Sequence, residues 1–95
     1  MPAPKKTVPI KIKDDVAGGA YANNMMVSHT REEFVMDFIY IFPQQGVVNA
    51  RVITSPGHMK RIIRALQDNV AKFEAQHGPI VEHAAGEPLP DLDLN

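Results

Sequence analysis

The chain has 95 residues, with ten basic and eleven acidic side chains for a net charge of -1, 44% apolar residues and no cysteine. Near-neutrality makes nucleic acid and anionic lipid poor partners, and the lack of cysteine excludes disulfide staples, thiolate zinc sites and cysteine nucleophiles. The length allows one domain at most, and a patterned part of about 60 residues buries only about 60% of its unfolded surface, so association with a partner is expected from the start.

No stretch approaches the roughly 18 apolar residues of a membrane span, and the first residues carry lysines without a signal-peptide core; a cytoplasmic protein with no membrane partner is the expectation. Residues 1–19 hold Pro2, Pro4 and Pro9, four lysines, Asp14, Asp15 and the pair Gly18 and Gly19, which reads as a flexible N-terminal arm. Within it Val8, Ile10 and Ile12 alternate with Pro9, Lys11 and Lys13, the pattern of a short edge strand that pairs only when docked. Residues 21–28 read as a first strand, and a polar turn from His29 to Glu32 leads into residues 33–42, dense in aromatic and branched side chains. Pro43, Gln44, Gln45 and Gly46 have the makeup of a four-residue hairpin loop, with Gly46 free to take a positive φ. Residues 47–54 return as the third strand.

Ser55 and Pro56 start a helix, the serine oxygen accepting from an orphan N–H and proline suiting the first helical position. Met59, Ile62, Ile63, Leu66, Val70 and Phe73 recur at three- and four-residue steps, while Lys60, Arg61, Arg64, Gln67, Asp68 and Lys72 take the other side. His77, Gly78 and Pro79 stop the helix. Ile80 and Val81 are expected to pack back on the domain, which spans residues 20–78, and residues 79–95 read as an acidic, proline-rich disordered tail. The fold class is therefore α+β: a three-stranded antiparallel β-meander followed by one long C-terminal amphipathic helix packed on one sheet face.

With the loop at residues 43–46, Phe42 faces Val47, Tyr40 faces Asn49, Phe38 faces Arg51 and Met36 faces Ile53. One face then carries Val35, Asp37, Ile39 and Ile41 with Val48, Ala50, Val52 and Thr54, the smooth bed for the helix. The other carries Phe34, Met36, Phe38, Tyr40 and Phe42 with Arg51, joined by Met25 and Val27. These eight residues are the candidate interface or peptide-binding surface, an aromatic patch of at least about 600 Å² with a cation–π contact between Phe38 and Arg51. The competing reading folds the arm or the tail over this face as an ordinary two-layer core.

Catalytic chemistry finds no foothold in the sequence. His29, His58, His77 and His83 have no paired metal-ligand spacing; no phosphate loop, nucleophile elbow or acidic pair is present. Asp37 on an apolar face is the one carboxylate open to a raised pKa, and Asn24 across the first hairpin is its expected hydrogen-bond partner. The expectation is a non-enzyme without cofactor or metal. Lys60, Arg61, Arg64 and Lys72 make a basic helix side that Asp68 and Glu74 dilute, so a single-stranded nucleic-acid binder ranks third.

The run Tyr21 to Asn24, then Glu33 to Phe38, then Ala50 to Arg61, continuing to Leu66 and Asn69, resembles a family of short bacterial and archaeal proteins known as domain of unknown function 3467. The resemblance covers about 60 residues and rests on the Phe-x-x-Asp-Phe and Ser-Pro-x-His pieces. It implies a bacterial origin and a shared fold, and carries no activity and no catalytic residue. A likeness of layout alone links the chain to the export chaperone SecB, whose subunits associate through sheets and helices. The leading expectation is a module that associates with itself as a homodimer or higher assembly, or with another protein. The alternative is a chaperone-like binder of extended apolar peptides.

Overall fold

The computed structural model describes residues 6–82. Its elements in chain order are α1 (Asp14–Ala17), β1 (Asn24–His29), β2 (Phe34–Ile41), β3 (Gly46–Thr54) and α2 (Pro56–His77). The strands form one antiparallel sheet in the order β1-β2-β3, so the α+β meander followed by a long helix is the observed architecture. The turn between β1 and β2 is built by Thr30, whose hydroxyl accepts from the backbone N–H groups of Glu32 and Glu33, both at 3.2 Å, while its own N–H donates to Glu33 O at 2.9 Å. Such a side-chain acceptor replaces a backbone partner and fixes the reversal.

In the β2–β3 loop the Phe42 N–H donates to Gln45 O at 3.0 Å. Gly46 does not use a positive φ, contrary to expectation; Gly19 and Gly78 are the glycines that do. A Cβ at Gly46 would lie 3.3 Å from Ile41 Cγ1 and 3.5 Å from Ile39 Cγ2. The glycine serves close approach to β2.

The strand register departs from the expected one. Tyr40 pairs with Val47 and Ile39 with Val48, but Phe38 pairs with Ala50, Asp37 with Arg51 and Met36 with Val52. Asn49 is the extra residue of a bulge between Phe38 and Ile39, and one inserted residue sends every later side chain of β3 to the opposite face. Arg51 and Ile53 therefore join Asp37, Ile39 and Val35, whereas Ala50, Val52 and Thr54 join Phe34, Met36 and Phe38. On the β1 side Met25 pairs with Phe38, Val27 with Met36 and Met26 with Asp37; Asn24 lies beside Ile39, not Asp37.

The placing of α2 corrects the expected helix-on-sheet packing. Only its first turns sink into the fold, with Met59 8% exposed and Ile62 half-buried; Ile63, Leu66, Val70 and Phe73 remain 47%, 61%, 45% and 49% exposed. Among the described residues, the strands pair closely, β1 with β2 and β2 with β3, while α2 packs through its start and leaves the rest of its stripe about half exposed. The cause is the connection. A single residue, Ser55, separates β3 from α2, whereas a helix that folds back over its sheet needs a loop of a few residues. Ser55 is extended at φ -76° and ψ 156°, and its hydroxyl accepts from the His58 N–H at 3.2 Å. The helix starts where expected and runs away from the sheet. It ends as expected at Gly78, with φ 88° and its N–H on Glu74 O.

The N-terminal segment holds one helical turn, α1, which the sequence pattern did not suggest. Val8, Ile10 and Ile12 are exposed and form no strand. Ile80 and Val81 do not pack back as expected; both are exposed, and the Ile80 N–H donates to the Glu74 carboxylate at 2.8 Å. The first five residues of the arm and residues 83–95 of the tail, His83 included, lie outside the described residues. The radius of gyration is 17.3 Å, against about 12 Å for a compact chain of this length.

Candidate interaction surfaces

The sheet presents two unlike faces. On one, the bulge brings Arg51 over Asp37: Arg51 Nε donates to Oδ1 at 2.6 Å and Nη2 to Oδ2 at 2.9 Å, a bidentate fork. Asp37 is 3% exposed, flanked by Val35 and Ile39 along its strand and by Met26 and Arg51 across it. The Arg51 hydrogen bonds hold the Asp37 carboxyl below its ordinary pKa; burial opposes them, and the guanidinium charge adds a further lowering. The raised carboxylate of the sequence reading is thus reversed, because its partner is a cation and not Asn24. Each carboxylate oxygen accepts from Arg51, and the lowered pKa makes Asp37 a weak base.

The other face carries the aromatic row. Phe34 contacts His29 at a ring distance of 5.4 Å, Tyr40 stacks with Phe42 at 6.2 Å, and Tyr21 meets Tyr40 edge-on at 5.6 Å and 71°. Seven of the eight expected interface residues, Met25, Val27, Phe34, Met36, Phe38, Tyr40 and Phe42, belong to this side of the sheet. Arg51 does not, so the expected cation–π contact with Phe38 is absent. Met36 is also inaccessible, at 4% exposed, while Met25, Val27 and Phe42 are open.

Part of this face is roofed by its own chain. The Asn49 Nδ2 group, projecting from the bulge, donates to the Tyr21 carbonyl at 2.8 Å, although Asn24, three residues on, is already in β1 at the opposite edge. The chain therefore crosses the sheet between Gly19 and Asn23, and an open groove lies between Val16, Gly19 and Ala22 on one side and Phe38, Ala50 and Val52 on the other. Asn23 completes the crossing: its side chain accepts from Ile41 N at 2.9 Å and donates to Ile41 O at 3.0 Å, replacing a backbone rung.

Among the described residues, a further apolar surface is the stripe Ile63, Leu66, Val70 and Phe73 on α2. The sequence reading found these residues but assigned them to the chain's own sheet. The signal that separates the two cases is the single-residue connection at Ser55. Among the described residues no group of three or more His, Asp or Glu is placed to hold a metal, and no helix is long and apolar enough to cross a membrane.

Fold and surfaces together define a small α+β module with an aromatic sheet face, a part-buried ion pair on the other face and an exposed helix stripe. The chain belongs to the family described as Protein of unknown function (DUF3467), whose model matches residues 1–82. No curated protein and no solved structure matches it at a significant level.

Proposed function

We propose that the protein is a non-catalytic module that associates with itself and acts as an interaction or scaffold subunit. One observation carries this reading: α2 extends past the sheet with four large apolar side chains about half exposed on one stripe. Most of a helix's stability in a protein comes from packing its amphipathic face, and the stripe presents on the order of 400 Å² of apolar surface per copy, about half of one partner's share in a standard interface. The bidentate hold of Arg51 on the Asp37 carboxylate supports the non-catalytic part. The chaperone-like alternative is less favoured, since residues 19–22 already occupy part of the aromatic face on which a peptide would lie.

Absolute mass by light scattering across a concentration series of the full chain tests the reading. A dimer or higher assembly is expected, with Leu66→Glu shifting it to monomer and lowering helical circular dichroism. A wild-type chain that stays monomeric at every concentration refutes it.

A further inference from the structure

The stripe on α2 has a stricter pattern than an amphipathic helix requires. Met59, Ile63, Leu66, Val70, Phe73 and His77 are separated by steps of four, three, four, three and four residues. This is the alternation of the two seam positions of a heptad, with Met59, Leu66 and Phe73 on one and Ile63, Val70 and His77 on the other. Over fewer than three heptads the drift of a straight helix, about 20° per heptad, leaves the seam on one side. With Ile62 beside it the apolar stripe is broader than the seam, but its exposed part, Ile63, Leu66, Val70 and Phe73, keeps the seam spacing, which suits a facing helix.

Resting on the self-association reading, we propose that the partner of this stripe is α2 of a second copy, running antiparallel, with Leu66 of each copy packed against Val70 of the other. In that register Ile63 meets Phe73 of the second copy, and His77 comes beside Met59, which the chain's own fold already covers. The charges beside the seam select the direction. Lys60 and Glu74 sit on the same flank, each seven residues from Gln67. A two-fold axis near Gln67 and Asn69 sets Lys60 of each copy against Glu74 of the other, two opposite-charge contacts per dimer. A parallel pair instead sets Glu74 beside Asn69 and Gln67 beside Ile62, with no charge matched. Antiparallel helix dipoles also attract, and the isologous arrangement closes on itself as a two-fold dimer should.

The arrangement also gives cover to a helix that the Ser55 junction sends away from its own sheet. The far end of the second copy's helix, with Phe73 and His77, comes to Met59, where the sheet ends, so each sheet borders a helix end contributed by the other copy.

The test uses the full chain. Lys60→Glu and Glu74→Lys should each weaken the dimer by on the order of tenfold, since each breaks both exposed ion pairs and sets like charges face to face. The double variant should restore affinity to near the wild-type level. Because the chain has no cysteine, single spin labels at Arg61→Cys and Asp68→Cys on the outer side of α2 report direction. Antiparallel pairing sets the two Asp68 labels level and the two Arg61 labels about 20 Å apart along the axis, so the Arg61 distance is the longer. Equal label distances, or a dimer indifferent to the charge exchange, overturn the antiparallel seam while leaving self-association standing. A monomer at every concentration overturns both.

Discussion

Arg51 reaches Asp37 only because Asn49 is an extra residue in β3. Without the bulge, Asp37 would lie beside a different side chain and Arg51 would stand on the aromatic face; with it, the two form a fork bonded at 2.6 and 2.9 Å. The bulge thus assigns one face to charge and the other to aromatic contact.

The two partners are unequally placed, because Arg51 is half exposed while Asp37 is almost inaccessible. Arg51→Met strands an ionised carboxylate without donors, whereas Asp37→Asn leaves an arginine that can turn to water. Arg51→Met is therefore expected to lower the thermal midpoint more than Asp37→Asn. The double variant should be more stable than the sum of the single losses implies, since the main penalty is an uncompensated charge. Thermal melts of the four proteins at one concentration check this.

Acid should act on the same pair. The Asp37 pKa is lowered in the folded protein, chiefly by the Arg51 hydrogen bonds, so the unfolded chain binds the proton more readily. The stabilisation is complete above the unfolded value of about 3.9 and is lost as pH falls through the lower folded value. The urea midpoint should hold from pH 7 to about 5 and fall below about 4, and Asp37→Asn should flatten part of that decline. An acid limb of equal steepness in the variant contradicts the assignment.

Asn23 substitutes a side chain for a ladder rung opposite Ile41. Asn23→Ala removes both bonds and should cost about 1–2 kcal/mol, at roughly 0.5–1.5 kcal/mol net per hydrogen bond. Denaturant titration measures the loss. Fluorescence of Tyr21 and Tyr40, whose rings meet beside this junction, should change in the same variant.

The second and third strands and the long helix are legible in the residues, whereas the first strand, expected from residue 21, begins at Asn24. Alternation in Phe34–Ile41 and Gly46–Thr54, the Ser55 and Pro56 start and the Gly78 stop each reflect local physics that the fold retains. Register was not legible, because Asn49 looks like any polar strand residue and its bulge is fixed by a bond to Tyr21, 28 positions away. The neighbour of the α2 stripe is not legible for a related reason. Periodicity reports that Leu66 and Val70 seek apolar cover, and the direction in which Ser55 releases the helix decides where they find it. The four residues of α1 are too few to show any period at all.

The one-residue junction at Ser55 also makes α2 a lever. Its 22 residues span about 33 Å at 1.5 Å per residue, so a rotation of about 10° at the junction carries the far end through about 6 Å. A small change of angle at Ser55 therefore becomes a large displacement of Phe73 and its neighbours relative to the aromatic face.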